Sequence, residues 1–349
     1  MPKPPSKRLL SALSGEALWP PPVWLMRQAG RYLPEYRAVR ARAGGFVALC
    51  TTPELAAEVT LQPVRRFGMD GAILFSDILI LPWALGYGLD FREGEGPVLP
   101  PLQDRVAVDR LDPACMGERV APVLETVRWV RRALGEDAPG TALIGFAGAP
   151  WTVACYMVEG RGTKEFASPR RMAHAEPALF GALIGRLTAA TVEYLAAQAD
   201  AGAEALMLFD SWAGLLPPRL FAEHVVGPAR RIRAVLRERC PGVPVIGFPR
   251  LAGLGAVAYA EATGVDAVAL DTGADLARIG PMLPAQVATQ GNLDPMALVA
   301  GGDALAAEAR DVLAGARGRP HVFNLGHGVV PETPPEHVAE LVRLVREAG

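Results

Sequence analysis

Eight short runs of mainly apolar residues recur along the chain. They lie at residues 23–27, 71–77, 142–148, 204–210, 243–249, 266–271, 286–292 and 321–327. Most are continuously apolar instead of alternating with polar residues, which is typical of parallel strands covered on both faces. The run at residues 286–292 has the weakest pattern. Together the runs predict eight buried parallel strands.

Amphipathic helical stretches separate these runs. They are predicted at residues 52–66, 119–134, 177–201, 218–239, 255–263, 303–314 and 335–348. Pro53 suits the first turn of a helix behind a Thr52 cap, and Asp303 is a candidate N-cap. Strands that alternate with helices predict one (β/α)8 barrel, a TIM barrel, over residues 1–349, with its active site at the carboxyl ends of the strands. A doubly wound open sheet is the alternative.

Several segments stand outside this alternation. Residues 81–112, rich in Pro and Gly, are predicted to form a long loop, and residues 1–20 a poorly ordered or loosely packed N-terminal segment. The N-terminus lacks the apolar core of a signal peptide, which indicates a cytoplasmic protein. Apolar windows at residues 71–89 and 140–158 are better explained by buried strands followed by apolar loops than by membrane helices, because both contain Pro and Gly.

Composition narrows the class of protein. Hydrophobic residues make up 50% of the 349 residues and charged residues 21%, which is sufficient for a large core. The net charge of −2 argues against a general nucleic-acid or membrane-surface binder. Four cysteines are widely spaced without a C-x-x-C pair, so neither a disulfide framework nor a zinc site is predicted: Cys50, Cys115, Cys155 and Cys240.

Polar residues follow most of the predicted strands. In a barrel these ends line one face, and they bring together Arg27, Gln28, Arg31, Ser76, Asp77, Asp210, Ser211, Arg250, Asp271, Asn292 and His327. Arginines are densest after the first strand, at Arg27, Arg31, Arg37 and Arg40. Because guanidinium grips a carboxylate bidentately, this cluster predicts an anion site. A solvated helix whose arginines face water is the alternative.

Five motifs in order along the chain resemble the uroporphyrinogen decarboxylase family. They are PVWLMRQAGRYLPEYR, FSDILILPWALGYG, GFAGAPWTVACYMVEG, FDSWAG and NLGHGVVPETPPEHV, which lie between Pro22 and Val338. The resemblance implies a cytoplasmic single-domain barrel that forms a homodimer and works without metal or organic cofactor. It also implies removal of CO2 from the four acetate side chains of uroporphyrinogen III, giving coproporphyrinogen III in haem and chlorophyll biosynthesis.

The resemblance also assigns the residues of the site. It implies that substrate contacts come from Arg27, Gln28, Ala29, Gly30, Arg31, Arg40, Asp77, Tyr156, Ser211 and His327. Of these, Arg27 and Arg31 hold carboxylates, and Gly30 lets the backbone approach the ligand because it lacks a Cβ. The Tyr156 hydroxyl binds a substrate carboxylate, and Ser211 hydrogen-bonds another side chain of the substrate. His327 contacts a propionate.

Asp77 is the sharpest assignment. A reduced tetrapyrrole directs four N–H donors at one point, and a single carboxylate is the complementary acceptor. Protonation of a pyrrole carbon makes the ring a cation that accepts the electrons of the breaking C–CO2 bond, and an adjacent anion stabilises that cation. We therefore predict Asp77 and Arg27 as the catalytic residues. The proton donor stays open between Arg27, a substrate carboxyl group and water.

Structural roles compete with these assignments. Asp77 and the Asp210–Ser211 pair are also plausible helix caps, Tyr156 an interior tyrosine, and His327 a strand-end histidine bonded to backbone. The remaining histidines are predicted to lie on the surface: His174, His224, His321 and His337. The glycines of residues 253–258 with Asp271 loosely fit a dinucleotide fingerprint, but four residues separate them from the preceding strand.

Two other functions remain open. One is a zinc-dependent methyltransferase acting on a corrinoid or folate, which needs a Cys/His metal set. The other is a tetrapyrrole carrier that binds without releasing CO2. Zinc analysis distinguishes the first, and an assay for CO2 release the second. No nucleic acid or membrane partner is expected.

Overall fold

A curled sheet of seven parallel strands forms the centre of the computed structural model, which describes residues 7–92 and 96–349. In sheet order the strands are β1 (Gly71–Ile73), β4 (Ala142–Gly148), β5 (Ala205–Asp210), β6 (Val245–Pro249), β7 (Ala267–Ala269), β8 (Ala288–Leu293) and β9 (His321–Leu325). Each pairs in parallel with its neighbour. Seven of the eight predicted strands are therefore confirmed, including the weak run at residues 286–292.

Alternate residues of each strand face two separate apolar layers. Ala142, Ile144 and Phe146 of β4 pack inside the curl of the sheet, in one cluster with Met207 and Phe248. The residues between them face the surrounding helices, as the much larger outer cluster shows. Because both faces are covered, a strand here needs apolar residues at nearly every position.

Helices follow most strands and cover the outer face of the sheet. They are α1 (Arg8–Leu13), α2 (Pro34–Arg42), α3 (Phe46–Thr51), α4 (Pro53–Phe67), α5 (Ile80–Ala84), α6 (Arg105–Asp109), α7 (Gly117–Asp137), α8 (Pro150–Glu159), α9 (Ala167–Ala175), α10 (Pro177–Ala201), α11 (Pro218–Phe221), α12 (Gly227–Arg239), α13 (Gly255–Thr263), α14 (Leu276–Ile279), α15 (Pro295–Ala300), α16 (Gly302–Ala316) and α17 (Pro335–Arg346). One π-helical turn, Ala222–Val226, joins α11 to α12. The predicted helices are thus confirmed, and α10 and α13 have the predicted bounds.

Helix α10 is long and apolar enough to cross a membrane by length and composition, although 56% of its apolar window is buried inside the protein. The two apolar windows of the sequence form β1 and β4 with the segments that follow them. Both strands are hydrogen-bonded within the central sheet.

The first predicted strand is wrong as a strand. Residues 22–26, here called the closing segment, make only one parallel bridge, from Val23 to Phe323 of β9. On the other side the Val23 carbonyl accepts a hydrogen bond of 2.8 Å from the Asp70 N–H, just before β1. Pro22 cannot donate a ladder hydrogen bond, and the chain leaves the sheet at Arg27, where φ is 58°. The segment is therefore too short and too interrupted for a regular strand.

The N-terminal segment is well packed where the structure describes it, which corrects the expectation of a loose segment for α1. Leu9, Ala12 and Leu13 are buried and belong to the cluster inside the curled sheet. Helix α1 thus fills the interior at the amino ends of the strands. Residues 1–6 lie outside the described residues.

Acidic residues stand directly before three of the strands: Asp70, Glu204 and Asp266. Each accepts a hydrogen bond from a backbone N–H at the start of the neighbouring segment, donated respectively by Val23, Leu143 and Val245. The first N–H groups of the sheet therefore have acceptors at its edge, where the ladder provides none.

Each of these acids also has a cationic partner. Lys7 lies 2.6 Å from Glu204, and Arg346 lies 3.3 Å from Asp70. The buried Arg233 lies 3.0 Å from Asp266. The charges at the amino ends of the strands are thus paired and hydrogen-bonded.

The predicted long loop at residues 81–112 contains regular structure. It includes part of α5, helix α6 and an antiparallel hairpin of β2 (Asp90–Arg92) and β3 (Gly96–Val98). Residues 93–95, between the two strands in sequence, lie outside the described residues. Several of the proline and glycine residues of this segment lie between short helices and strands, so their abundance did not indicate one long loop.

Asp303 is not the N-cap of its helix, which corrects another prediction. Helix α16 begins at Gly302 behind Gly301, where φ is 69°. A side chain at position 301 would collide with the imidazole of His337. Only glycine satisfies both the backbone angle and this close contact, so the chain enters the helix two residues earlier than the acid predicted.

Candidate active site

Polar side chains converge on the concave opening at the carboxyl ends of the strands, here called the mouth. Arg27 follows the closing segment, Asp77 follows β1 by four residues, and Tyr156 lies on α8 behind β4. Ser211 follows β5, Arg250 follows β6 and His327 follows β9. Arg27 is close enough to influence Asp77, Tyr156 and His327 electrostatically. Asp77 also influences Tyr156.

The loop from Arg27 to Arg31 has little freedom. Arg27 is exposed and adopts the left-handed region at φ 58°, which is uncommon for a residue other than glycine. A Cβ at Gly30 would lie 3.1 Å from the Arg27 carbonyl oxygen, and a Cβ at Gly328 would collide with the Arg27 side chain. These two glycines therefore let the chain hold the Arg27 guanidinium in the mouth.

Gln28 is fully buried beneath this loop. Its side-chain oxygen accepts from the Leu25 N–H at 3.1 Å, and its amide nitrogen donates to the Gly71 carbonyl at 3.0 Å. The Tyr32 hydroxyl donates to the Gln28 carbonyl at 2.7 Å. The structure thus gives Gln28 a positioning role in the loop, whereas the neighbouring Ala29 is partly exposed.

Asp77 is partly buried at the start of the segment that leads into α5. Its Oδ1 accepts from the Leu79 N–H at 2.8 Å in the turn before α5, whose N-cap is Leu79, so Asp77 is not the helix cap that was the alternative. Burial raises the pKa of the Asp77 carboxyl above its ordinary value, an effect that the Leu79 N–H and Arg27 partly offset. The second oxygen makes no hydrogen bond to any residue that the structure describes and is available to a ligand.

Tyr156 lies among aromatic rings on the wall of the mouth. Its ring centroid is 5.2 Å from that of Phe166, which in turn lies 4.8 Å from Trp212. Burial raises the pKa of the Tyr156 phenol, whereas the Trp212 side chain lowers it and Asp77 raises it further. The hydroxyl therefore stays protonated and can donate a hydrogen bond.

His327 is neutral at ordinary pH. Burial lowers the pKa of its imidazole to about 3, and the positive charges of Arg27 and Arg250 act in the same direction. A neutral imidazole offers one N–H donor and one acceptor nitrogen. His327 can therefore bind a carboxylate as a donor without adding another positive charge.

Arg31 and Arg40 form an outer group around Tyr36. Arg31 is exposed, and the Arg40 guanidinium lies 5.0 Å from the centroid of the Phe46 ring. Burial raises the pKa of the Tyr36 phenol, and Arg40 lowers it. Ser211 is half-buried beside Asp210, whose carboxylate accepts from the Thr152 hydroxyl at 2.5 Å, so Asp210 is not the helix cap that was the alternative.

Arg250 lies in this site although the motifs did not assign it. It was recognisable only as a polar residue after a strand. The structure places its charge near Arg27, Tyr156 and His327. Asp271 was a candidate acid of a dinucleotide site. Its carboxylate instead holds the local backbone, because it accepts from the N–H groups of Leu251 at 2.7 Å and Gly273 at 3.0 Å.

No group of three or more His, Cys, Asp or Glu side chains suited to a metal ion occurs within residues 7–92 and 96–349. Two of the histidines predicted for the surface are in fact buried, namely His224 and His321. His321 contacts the Thr289 hydroxyl at 2.9 Å. The polar groups of the mouth are thus guanidiniums, one carboxylate, a phenol and a neutral imidazole, which suit a polyanion with an N–H-bearing or cationic centre.

Known proteins are similar to this chain over nearly its whole length. The family model of uroporphyrinogen decarboxylase (URO-D) matches residues 4–348. A protein named uroporphyrinogen decarboxylase from Granulibacter bethesdensis is 62% identical over 341 residues, covering 98% of this chain and 99% of that protein. Another protein of that name, from Gluconacetobacter diazotrophicus, is 59% identical over 348 residues, covering 98% of each chain.

Among solved structures, a methyltransferase from Methanosarcina mazei shares the fold. Its TM-score is 0.79 at 22% sequence identity, and the alignment covers 97% of each chain. At that identity the likeness concerns the fold alone. The whole-length family match and the high identities of the other relatives confirm the resemblance found in the motifs: the chain belongs to the uroporphyrinogen decarboxylase family.

Proposed function

We propose that the chain removes CO2 from the four acetate side chains of uroporphyrinogen III and forms coproporphyrinogen III, with no metal or organic cofactor. The observation that carries the proposal is the free oxygen of Asp77 in a mouth that also holds Arg27 and His327. A polyacid with a ring of N–H donors is complementary to that arrangement. The family membership supports the same reaction.

Substrate binding rests on charge and on directed donors. Uroporphyrinogen has eight carboxylates, which Arg27, Arg31 and Arg40 attract from the mouth and its outer rim. Tyr156, Ser211 and His327 donate hydrogen bonds to further carboxylates. Ala29 and Gly30 bring backbone close to the macrocycle, while Gln28 holds their loop from below.

The chemistry uses the substrate as its own electron sink. A proton added to a pyrrole carbon makes the ring a cation, and the C–CO2 bond breaks with its electron pair moving into the ring. CO2 leaves, the exocyclic carbon takes up a proton to become a methyl group, and the ring carbon loses its proton. Each cycle consumes one proton net. The Asp77 carboxylate stabilises the cation, and the proton is delivered by Arg27, a substrate carboxyl group or water.

The overall assembly follows the same family. We infer that the closing segment takes the place of the eighth strand in a single (β/α)8 barrel domain. Pro22 and Trp24 hydrogen-bond to Phe323 on one side, and Val23 hydrogen-bonds to Asp70 on the other. The chain is expected to act as a cytoplasmic homodimer. Light scattering of the purified protein measures the dimer directly.

One assay tests the reaction. The protein, treated with EDTA, is incubated with uroporphyrinogen under anaerobic reduction, and the products are oxidised and separated by number of carboxylates. We expect a shift from eight carboxylates to four. A product with eight carboxylates, from protein that still binds the macrocycle, would favour a carrier. Activity that returned only with zinc would favour a metalloenzyme.

A further inference from the structure

Arg250 stands opposite Arg27 in the mouth. It follows β6, the central strand of the sheet, which has three strands on either side. Arg27 follows the closing segment, which bonds to the edge strand β9 and to the residue before β1. Because the sheet is curled, the two guanidiniums extend from opposite walls toward the same opening.

The backbone of Arg250 is held in place on both sides. Its N–H donates to the Asp210 carbonyl at 3.1 Å, and its carbonyl accepts from the Gly214 N–H at 3.0 Å. The next residue, Leu251, donates to the Asp271 carboxylate at 2.7 Å and has a φ of 63°. A left-handed residue fixed by a buried acid indicates that this position is closely specified.

The guanidinium of Arg250 nevertheless has no hydrogen-bond or ion-pair partner within residues 7–92 and 96–349. It is half-buried, and its Nε meets no acceptor among the residues that the structure describes. Asp271 attracts it electrostatically but already accepts two backbone hydrogen bonds. A half-buried cation without an acceptor is unfavourable, and a second cation across the mouth makes it more so.

We propose that Arg250 and Arg27 clamp one carboxylate of the substrate between them, beside His327. This assignment rests on the proposed decarboxylase function. An anion between the two guanidiniums satisfies both and removes their mutual repulsion. His327 supports this arrangement, since both cations act on its imidazole, which is neutral and can donate a third hydrogen bond.

The test compares Arg250→Gln with Arg250→Lys and with Arg132→Gln. Arg132 is an exposed arginine of α7, on the side of the sheet away from the mouth, so its variant is a matched control. We expect Arg250→Gln to lose about 10- to 100-fold in kcat/KM, which is the size of effect for a charged hydrogen bond. Lysine should restore part of this loss, because it keeps the charge without the planar fork.

A second readout separates binding from structural damage. Fluorescence quenching measures binding of uroporphyrin, the oxidised macrocycle that has the same eight carboxylates but does not react. We expect Arg250→Gln to weaken this binding about tenfold or more, with Tm unchanged and Arg132→Gln equal to the wild type. Added guanidinium ion should partly rescue Arg250→Ala, which a purely structural role does not predict.

The outcomes distinguish the two proposals. If the wild type decarboxylates uroporphyrinogen and Arg250→Gln matches it in both kcat/KM and uroporphyrin binding, the clamp is wrong and the function stands. If the wild type releases no CO2 but Arg250→Gln still weakens uroporphyrin binding, the function is wrong and the clamp stands.

Discussion

Charged side chains are paired at the amino end of the central sheet, whereas two arginines at its carboxyl end are unpaired among the described residues. At the amino ends, Asp70, Glu204 and Asp266 each bind a backbone N–H and a cationic side chain. At the carboxyl ends, neither Arg27 nor Arg250 forms an ion pair with any residue that the structure describes. Charges that are satisfied within the protein stabilise the fold, whereas unsatisfied ones at the mouth are available to a ligand.

Strained backbone also occurs at the carboxyl ends of the strands. Two of the non-glycine residues with positive φ, Arg27 and Leu251, lie in loops at the mouth. Such conformations cost about 1–3 kcal/mol each and persist only where surrounding contacts impose them. Since Gln28 and Asp271 hold these loops from below, the strain is concentrated beside the groups that meet the substrate.

The largest effect is expected for Asp77→Asn at the mouth. The change keeps the size of the side chain and the hydrogen bond from Leu79 but removes the negative charge. Turnover should fall by about 100-fold or more, by analogy with the loss of one group that stabilises a transition state. Steady-state kinetics measure this, and Tm should be unchanged. Near-normal turnover would exclude the proposed role of Asp77.

A substitution at the amino ends of the strands should change the stability of the protein and not its turnover. Asp266→Ala leaves the buried Arg233 without its partner and the Val245 N–H without an acceptor. We expect the free energy of unfolding to fall by about 3 kcal/mol, with kcat unchanged for the folded enzyme. Urea unfolding measures the loss. Glu347→Ala, which removes an exposed pair with Arg343, is the control and should change stability by less than about 1 kcal/mol.

Asp210 allows a pH test of an unpaired acid near the mouth. Burial raises the pKa of its carboxyl to about 7, so between pH 4 and pH 7 the folded protein keeps a proton that the unfolded chain releases. Rising pH therefore lowers the stability of the wild type across this range. We expect the free energy of unfolding of the wild type to fall by about 2 kcal/mol between pH 5 and pH 7 through this group. Asp210→Asn can still accept from Thr152 and should not show this fall. Equal pH slopes in urea unfolding would contradict it.

The smallest effect separates strain from function at one residue. Arg27→Gly and Arg27→Ala both remove the guanidinium, and both should lower kcat/KM. At a φ of 58° glycine avoids a cost of about 1 kcal/mol that alanine retains. We expect the glycine variant to unfold at higher urea concentration than the alanine variant. The same midpoint for both would show that the backbone of this loop is unstrained.

Local pattern predicted most of the fold. Runs such as ALIGFAG became buried strands because their apolar content fits both layers, and α10 has the predicted bounds because Pro177 and Gly202 mark its ends. The pattern failed where hydrogen bonding beyond the segment decided the outcome. The closing segment is apolar enough for a strand, but it makes a single bridge there.

Burial of polar side chains was the other weakness. His224 and His321 were predicted at the surface because they stand in helical or strand-entry positions, yet tertiary packing encloses both. Motifs indicated Arg27, Asp77, Tyr156 and His327 together. Arg250 was predicted at the same face as a strand-end residue, but no motif assigned it to the substrate, and only the curl of the sheet brings it opposite Arg27.

The closing segment has a mechanical consequence for the whole molecule. Its single bridge at Val23 joins the two edge strands without a regular ladder, four residues before Arg27. A macrocycle that touches both Arg27 and Arg250 spans the mouth from the closing segment to the opposite wall. The bound substrate thereby becomes a crosslink of the scaffold, and amide exchange at Trp24 and Phe323 should slow when the mouth is filled.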